Sequence, residues 1–406
     1  MPTRIAANEA AITAWLDGAV NFERSGAFAG IRLERIAGAL AALPPPPAPC
    51  TVAGTKGKGS TVRLIEAALL AQGVPVLAFT SPHVRSVRER WRCDGVPVDV
   101  ASLADGCSAV AALEERLGVA LTWFERTFAI ACLLARARAG TRFLVEVGLG
   151  GRLDCANALD AQVAVLTHLS HDHRDILGPT LEHIAREKLA IARPGRPLLI
   201  APQSAAASAA LRAALAGPGA SAPEVRWIAP PAPPFALALP GAHQQDNAAT
   251  ALAAAAAMHP GLDASAARRA MATATLAARC QLVERGGRRL LVDGAHNRES
   301  IAATLATAAG LLRPGWRLII ALAGDKELAE IAEAIPAGLA VTRCAYASPR
   351  ARREPDWLPA QRAWPWYDGI AAALAAQPVD ADVCISGSLY LAGEALALLG
   401  DEGVPG

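Results

Sequence analysis

The chain has 406 residues, 53% of them apolar and 19% charged, with a net charge of +2 and basic residues scattered along its length. Such a composition can bury enough surface to offset chain entropy, which excludes global disorder; it also lacks the basic footprint of a nucleic-acid binder and any segment that reads as a bilayer span. The length predicts two domains.

At the N-terminus Glu9 and Asp17 interrupt any apolar run of signal-peptide length, so a soluble cytoplasmic protein is expected. The eight cysteines never form C-x-x-C and are spread along the chain, which reads as buried thiols in a reducing compartment. Short β-branched or Leu/Val-rich runs occur at 50–54, 74–80, 142–148, 162–168 and 196–202, each followed by a longer Ala/Leu-rich stretch. That alternation predicts an α/β fold with a parallel sheet flanked by helices. A second set of runs at 288–294, 316–324 and 382–388 predicts a second, smaller α/β domain. Proline clusters at 44–47 and 230–234 mark connections, since proline lacks the amide donor and fixes φ. The Ala-rich stretch 203–221 is helix-compatible. The boundary is expected in the polar segment Gln281–Arg288, giving domains 1–282 and 283–406.

The first motif is "TVAGTKGKGSTV", Thr51 to Val62. A strand, a glycine loop and a helix start are the context a phosphate cradle needs, because free amides and the helix dipole meet there. The spacing is unusual. The familiar loop is G-x-x-x-x-G-K-[ST], yet here two residues separate Gly54 from Gly57 and Gly59 stands between Lys58 and Ser60. A bare structural turn would not explain two lysines crowded into it. Further on, "FLVEVGLGGRLDCAN" puts Glu146 inside an apolar strand before a glycine-rich turn. A charge there is costly to bury unpaired, and either a metal site or a core salt bridge with Arg152 would account for it. "HLSHDHRD" then supplies His168, His171, Asp172, His173 and Asp175 at another strand end, where open α/β sheets bind ligands. Together these parts suit a magnesium nucleotide site, with amides and Lys58 for phosphates and hard or borderline ligands for metal. Zinc fits less well, because the histidines stand at i, i+3 and i+5 without cysteine partners.

"GTKGKGST", "TSPHVRSVRERWRCDG", "TWFE", "EVGLGGRLDCAN", "DHRDILGPTLEHIAREKLAIARPG", "HQQDNAATALA", "DGAHN" and "GSLYL" follow in the order and spacing of folylpolyglutamate synthase/dihydrofolate synthase, within the Mur ligase superfamily. The chain resembles that family from about Asn21 to Leu399, and the short loop with its late hydroxyl resembles the family's own form, G-T-[NK]-G-K-G-[ST]. The resemblance implies a P-loop-type first domain like the central domain of Mur ligases and a Rossmann-like second one. It also implies an ATP-dependent ligase adding L-glutamate to dihydropteroate, to reduced folates, or to both, through an acyl phosphate.

Residue by residue, the resemblance implies that Gly54, Thr55, Gly57, Lys58, Gly59, Ser60 and Thr61 bind ATP, with Asn247, Arg279 and Asp293 contacting the nucleotide and His296 nearby. Ser60, Ser81, Glu146 and His173 are the implied magnesium ligands. Two ions are expected. Lys188, as a carbamate, would supply oxygens to the second; an ordinary helix-face lysine beside Glu187 is the plainer reading. Likewise Ser81 reads alone as a turn hydroxyl, and Asn247 as a helix cap. Lys58, Lys188, His173, Asp293 and His296 are the implied catalytic set. For the acid substrate the match points to Gly30, Ile31, Arg32 and Leu33, to Thr122, Trp123, Phe124 and Glu125, and to Leu153, Asp154 and Cys155.

The chain departs from the family pattern at Cys155-Ala156, where Ala-Thr is usual, at His171 before "DH", and at "AARCQ" in place of "PGRFQ". These changes bear on substrate preference. Catalysis would rest on positioning and charge neutralisation, since no G-x-S-x-G nucleophile elbow is present, with the domains closing about Gln281–Arg288. The expected partners are small molecules only: ATP, L-glutamate and a dihydropteroate or reduced folate, bound by a monomer. Another Mur-type amino-acid ligase and a catalytically inactive nucleotide-binding paralogue are the rival readings.

Overall fold

The computed structural model describes residues 4–25, 32–217 and 222–400. The chain forms two compact units, one from the chain up to Ala236 with Gln245–Ala274, the other from Leu237–Gln244 with the chain from Thr275.

The first unit is built on an eight-stranded sheet in the order β4-β3-β2-β5-β1-β6-β7-β8. Its strands are β1 (Cys50–Ala53), β2 (Val76–Phe79), β3 (Trp91–Cys93), β4 (Val96–Pro97), β5 (Arg142–Glu146), β6 (Val163–Leu166), β7 (Pro197–Ile200) and β8 (Glu224–Trp227). All ladders from β2 through to β8 are parallel, and β3 and β4 extend one edge antiparallel. Every residue of β1, β2 and β6 is buried. Helices cover both faces of such a sheet, so its central strands read as unbroken apolar runs rather than alternating ones. Register sets the functional edge. Val52 pairs with Glu146 and Ala53 with Leu166, while Phe79 pairs with Val145, so β1, β2, β5 and β6 all end at one edge.

One polar network crosses this apolar core. Glu66, on the helix Lys58–Leu70, is fully buried and its Oε2 accepts from Arg92 Nε at 3.0 Å and from Arg63 Nη1 at 3.3 Å. Arg92 continues to Thr80 Oγ1 at 3.2 Å. The helix behind the glycine loop is thereby tied to the end of β2.

The second unit has a six-stranded sheet in the order β13-β12-β11-β14-β10-β9. Its strands are β9 (Gln281–Arg285), β10 (Arg288–Val292), β11 (Arg317–Ile320), β12 (Val341–Cys344), β13 (Trp366–Tyr367) and β14 (Val383–Ser386), parallel except for β9. The segment Gln281–Arg288, expected to link the domains, is instead a β-hairpin of this sheet. Gly286 and Gly287 have φ of 59° and 77°, the left-handed pair that a two-residue hairpin turn requires. Its polar character reflects an exposed edge strand rather than a linker. Within the unit, buried Asp382 accepts the amides of Arg289 and Arg313 at 2.9 and 2.8 Å together with the Arg313 guanidinium, pinning β10 to β14.

None of the eight cysteines is in a disulfide, and all but Cys93 are buried. Among the described residues no helix is long and apolar enough to cross a membrane.

Candidate functional site

Leaving β1, the chain turns through Gly54 to Gly57 and enters the helix Lys58–Leu70, with Gly57 as its left-handed N-cap (φ 83°). The first-turn amides of any helix have no intrahelical acceptor, so Lys58, Gly59 and Ser60 present an anion-binding terminus. The loop is held from the β6 side. Thr55 and Lys56 donate their amides to His168 O at 2.9 and 3.3 Å, and Thr55 Oγ1 and Ser170 exchange hydrogen bonds at 3.0 and 3.1 Å. Buried Asn247 packs directly on it: a methyl group on Gly57 would lie 2.3 Å from its Oδ1. Asn247 lies inside the helix His243–Met258, so the helix-cap reading does not hold.

Two lysines converge on one oxygen. Lys58 Nζ donates to Gly54 O at 3.3 Å and Lys188 Nζ to the same carbonyl at 3.0 Å. Lys188 is buried, not a surface lysine of the helix Leu181–Leu189. Burial, aided by the Lys58 charge, pushes its amine down to about 7. A sizeable neutral fraction therefore exists near neutrality, and the neutral form is the one that can react with an electrophile.

Glu146 ends β5 at 5% exposure, and its Oε2 accepts the Ser81 amide at 3.0 Å. The salt bridge considered for it is not made, because Arg152 pairs with Glu187 at 2.7 Å. Ser60 and Ser81 are also buried. His173 stands on the loop after β6 in a left-handed conformation, its amide donating to Asp172 Oδ1 at 3.0 Å. Among the described residues no three carboxylate, imidazole or thiol groups form a ready-made cage. The donor set fits magnesium even so, since that ion is held by one or two carboxylates and hydroxyls while phosphate and water oxygens complete its octahedron.

Beside this edge, Thr122 caps the helix Trp123–Arg136 in a capping box with Glu125. Buried Glu125 receives Arg35 Nε at 3.0 and 2.7 Å. Phe124 lies against Gly148, where an added methyl would come within 2.8 Å of the ring. Asp154 takes the amides of Gly148, Leu149 and Ala156 at 3.0, 3.2 and 2.9 Å, while burial raises its carboxyl to about 6. Cys155 next to it is buried, and burial raises its thiol well above the ordinary value, so it acts as a small apolar wall. Leu33 opens the helix Leu33–Ala41 and Arg32 caps it, whereas Gly30 and Ile31 lie outside the described residues.

No protein-family model matches the chain. It is 33% identical over 332 residues, 78% of each chain, to dihydrofolate synthase/folylpolyglutamate synthase of Escherichia coli K12. The chain belongs to the folylpolyglutamate synthase/dihydrofolate synthase family. Among solved structures, folylpolyglutamate synthase of Mycobacterium tuberculosis complexed with ADP and AMPPCP superposes with a TM-score of 0.82 at 26% identity, covering 97% of this chain and 98% of the other. An E. coli relative in complex with DHPP and ADP gives 0.81 at 27% identity, covering 98% and 99%. Both likenesses span the two α/β units.

In this synthase-family chain the second unit carries the remaining expected residues. Asp293 is buried and its carboxylate takes the Cys280 amide at 2.7 Å, the Ala295 amide at 2.8 Å and the Thr304 hydroxyl at 2.8 Å. That makes it a bracket for its own loop. Arg279 stands between Ala278 and Cys280, both left-handed at φ 53° and 47°, with Nη1 on Ala278 O at 3.2 Å. His296 Nδ1 lies 2.9 Å from Gly294 O, which puts a ring proton on that nitrogen.

Sequence reasoning passed over the rest of the stretch after Ser81. Glu89 accepts the amides of Val84, Arg85 and Ser86 at 2.7, 3.0 and 2.9 Å, and the S-x-x-E capping signature at Ser86 was there to find. His83 Nδ1 accepts from Arg90 Nε at 2.9 Å. Burial and the Arg90 charge push this imidazole down to about 3, so it is neutral.

Proposed function

We propose that the first unit's strand-end site carries ATP-dependent addition of L-glutamate to dihydropteroate and to reduced folates, through an acyl phosphate. The observation that supports this most is the convergence of the glycine loop, Ser81, Glu146 and two lysines where adjacent parallel strands end. A carboxylate resists amines, because its charge repels them and oxide is a poor leaving group. Transfer of the γ-phosphoryl group to a carboxylate oxygen releases ADP and repairs both defects. The glutamate amine then attacks the carbonyl carbon, and the tetrahedral adduct expels phosphate as the amide forms.

Lys58 and the first-turn amides hold the phosphates and offset the charge that develops on the transferred group. Ser60, Ser81, Glu146 and His173 would hold magnesium, which supplies further neutralisation of phosphate charge when bound. Lys188, as a carbamate, would replace a repelling ammonium with oxygens suited to a second ion. The acid substrate is assigned to Thr122–Glu125, Leu153–Cys155 and the segment Gly30–Leu33, where Phe124 offers an aromatic face and Asp154 a carboxyl able to donate or accept. Asn247, Arg279 and Asp293 are assigned to the nucleotide, and His296 to the catalytic set. The protein is read as a cytoplasmic monomer working on small molecules alone.

Measuring ADP and phosphate release with dihydropteroate plus glutamate, and separately with tetrahydrofolate plus glutamate, tests the reading. One ADP per amide formed is expected with both acids. ATP binding without amide formation from either acid would overturn it.

A further inference from the structure

Arg90 is almost wholly buried, at 1% exposure, although a guanidinium is costly to desolvate unless it is both paired with a charge and hydrogen-bonded. Its surroundings supply both. Nε donates to His83 Nδ1 at 2.9 Å, and Nη1 and Nη2 to the Glu23 carboxylate at 3.3 and 2.7 Å. Its flat face lies 4.4 Å from the centre of the Trp123 ring, and its carbonyl accepts the Thr80 amide at 3.0 Å. Trp123 is fixed from the far side as well: its Nε1 donates to Asp17 Oδ1 at 3.0 Å and its amide to Val20 O at 2.9 Å.

One side chain thus joins three segments: the helical turn Phe22–Ser25, the turn that carries Ser81 and His83, and the start of the helix Trp123–Arg136. The second of these holds Glu146 through the Ser81 amide, and the third carries the Thr122–Glu125 segment assigned to the acid. Because Arg90 donates to Nδ1, the His83 proton must sit on Nε2, which fixes the tautomer and orientation of a half-buried neutral ring. A lysine could not replace this arrangement, since an ammonium cannot fork onto Glu23, reach His83 and stack on Trp123 together.

We propose that Arg90 is a positioning residue for the acid substrate, acting through His83 and Trp123 to set the acid-binding segment against the Ser81 turn. It does not touch the reacting atoms. The proposal rests on the ligase reading given above, and the two can fail separately.

The test compares wild type with Arg90→Lys, Arg90→Met, His83→Phe and His83→Asn in the ligase assay, with thermal unfolding and binding of a fluorescent ATP analogue recorded for each. Arg90→Lys, Arg90→Met and His83→Phe should raise KM for the acid roughly tenfold or more, while KM for ATP and kcat stay within about threefold. His83→Asn, whose Oδ1 can still accept from Arg90, should restore near-normal behaviour. An inactive wild type would sink the ligase reading, and this proposal with it. An active wild type whose Arg90 variants keep the acid's KM, or lose activity only in proportion to their unfolded fraction, would overturn the positioning role alone. A rise with His83→Asn equal to that with His83→Phe would also overturn it, by giving the role to the imidazole itself.

Discussion

Replacing Gly54 with alanine probes the point where the loop, both lysines and β6 meet. Gly54 has φ 151°, and a Cβ there would lie 1.8 Å from Thr167 Oγ1, 3.0 Å from Thr167 Cβ and 3.2 Å from its carbonyl carbon. Thr167 cannot simply rotate away, because it is fully buried and its hydroxyl lies 2.6 Å from Lys56 O and 3.2 Å from Ala53 O. Overpacking costs about 1–3 kcal/mol. A lost buried hydroxyl bond adds about 1 kcal/mol, and the unfavourable backbone region about 1–3 kcal/mol. Gly54→Ala should therefore lose roughly 3–7 kcal/mol in urea unfolding, a large part of the ~5–15 kcal/mol of an ordinary domain. Nucleotide affinity should fall with it, since the carbonyl anchoring Lys58 and Lys188 moves. Adding Thr167→Gly should recover about 1–3 kcal/mol through direct coupling. A single variant that loses less than about 1 kcal/mol and keeps its nucleotide affinity would refute this account of the loop.

Glu146→Gln should weaken divalent-ion affinity, read as a magnesium optimum shifted upward at least about tenfold, with nucleotide binding in EDTA unchanged. Lys188→Met should abolish turnover yet leave thermal stability equal or higher near neutral pH, because it removes a buried ammonium; incubation of wild type with labelled bicarbonate should give a carbamate carbon signal that the variant lacks. Asp382→Ala should destabilise the second unit by about 1–3 kcal/mol, leaving two backbone amides without their acceptor. Hydrogen bonding from Arg313 holds the Asp382 carboxyl far below the usual carboxylate range. Below pH 4 the unfolded chain binds a proton there that the folded one refuses, so the stability this carboxylate contributes is present above that pH and lost as the pH falls. Urea midpoints between pH 3 and 6 should accordingly drop less in Asp382→Asn than in wild type.

Much of the first unit was legible because its central strands are buried on both faces and so appear as short apolar runs between glycine or polar punctuation. The edge pieces β3, β4 and β8 were not: they are brief, and β8 is largely exposed, so no pattern sets them apart from loop. The hairpin at Gln281–Arg288 was misread because its Gly-Gly turn and charged edge have the composition of a linker. The glycine loop and Glu146 stood out since a charge or a lysine pair is anomalous in such a setting. Lys188 did not, because burial of a lysine on a short polar helix depends on what the fold lays over it. Asn247, taken without the family resemblance, reads as a cap for the converse reason: its neighbours in sequence carry no sign of Gly57. Arg90 lies in a quoted stretch, yet its partners Glu23, His83 and Trp123 are brought together only by tertiary folding.

The carbonyl of Gly54 is a single acceptor claimed by two cationic side chains from distant parts of the chain. Whatever alters one claimant must be felt by the other: discharging or removing Lys188 deepens the hold on Lys58, and loss of Lys58 lets Lys188 regain its proton more easily. The chemical state of a side chain on a remote helix is thus written directly into the grip of the loop.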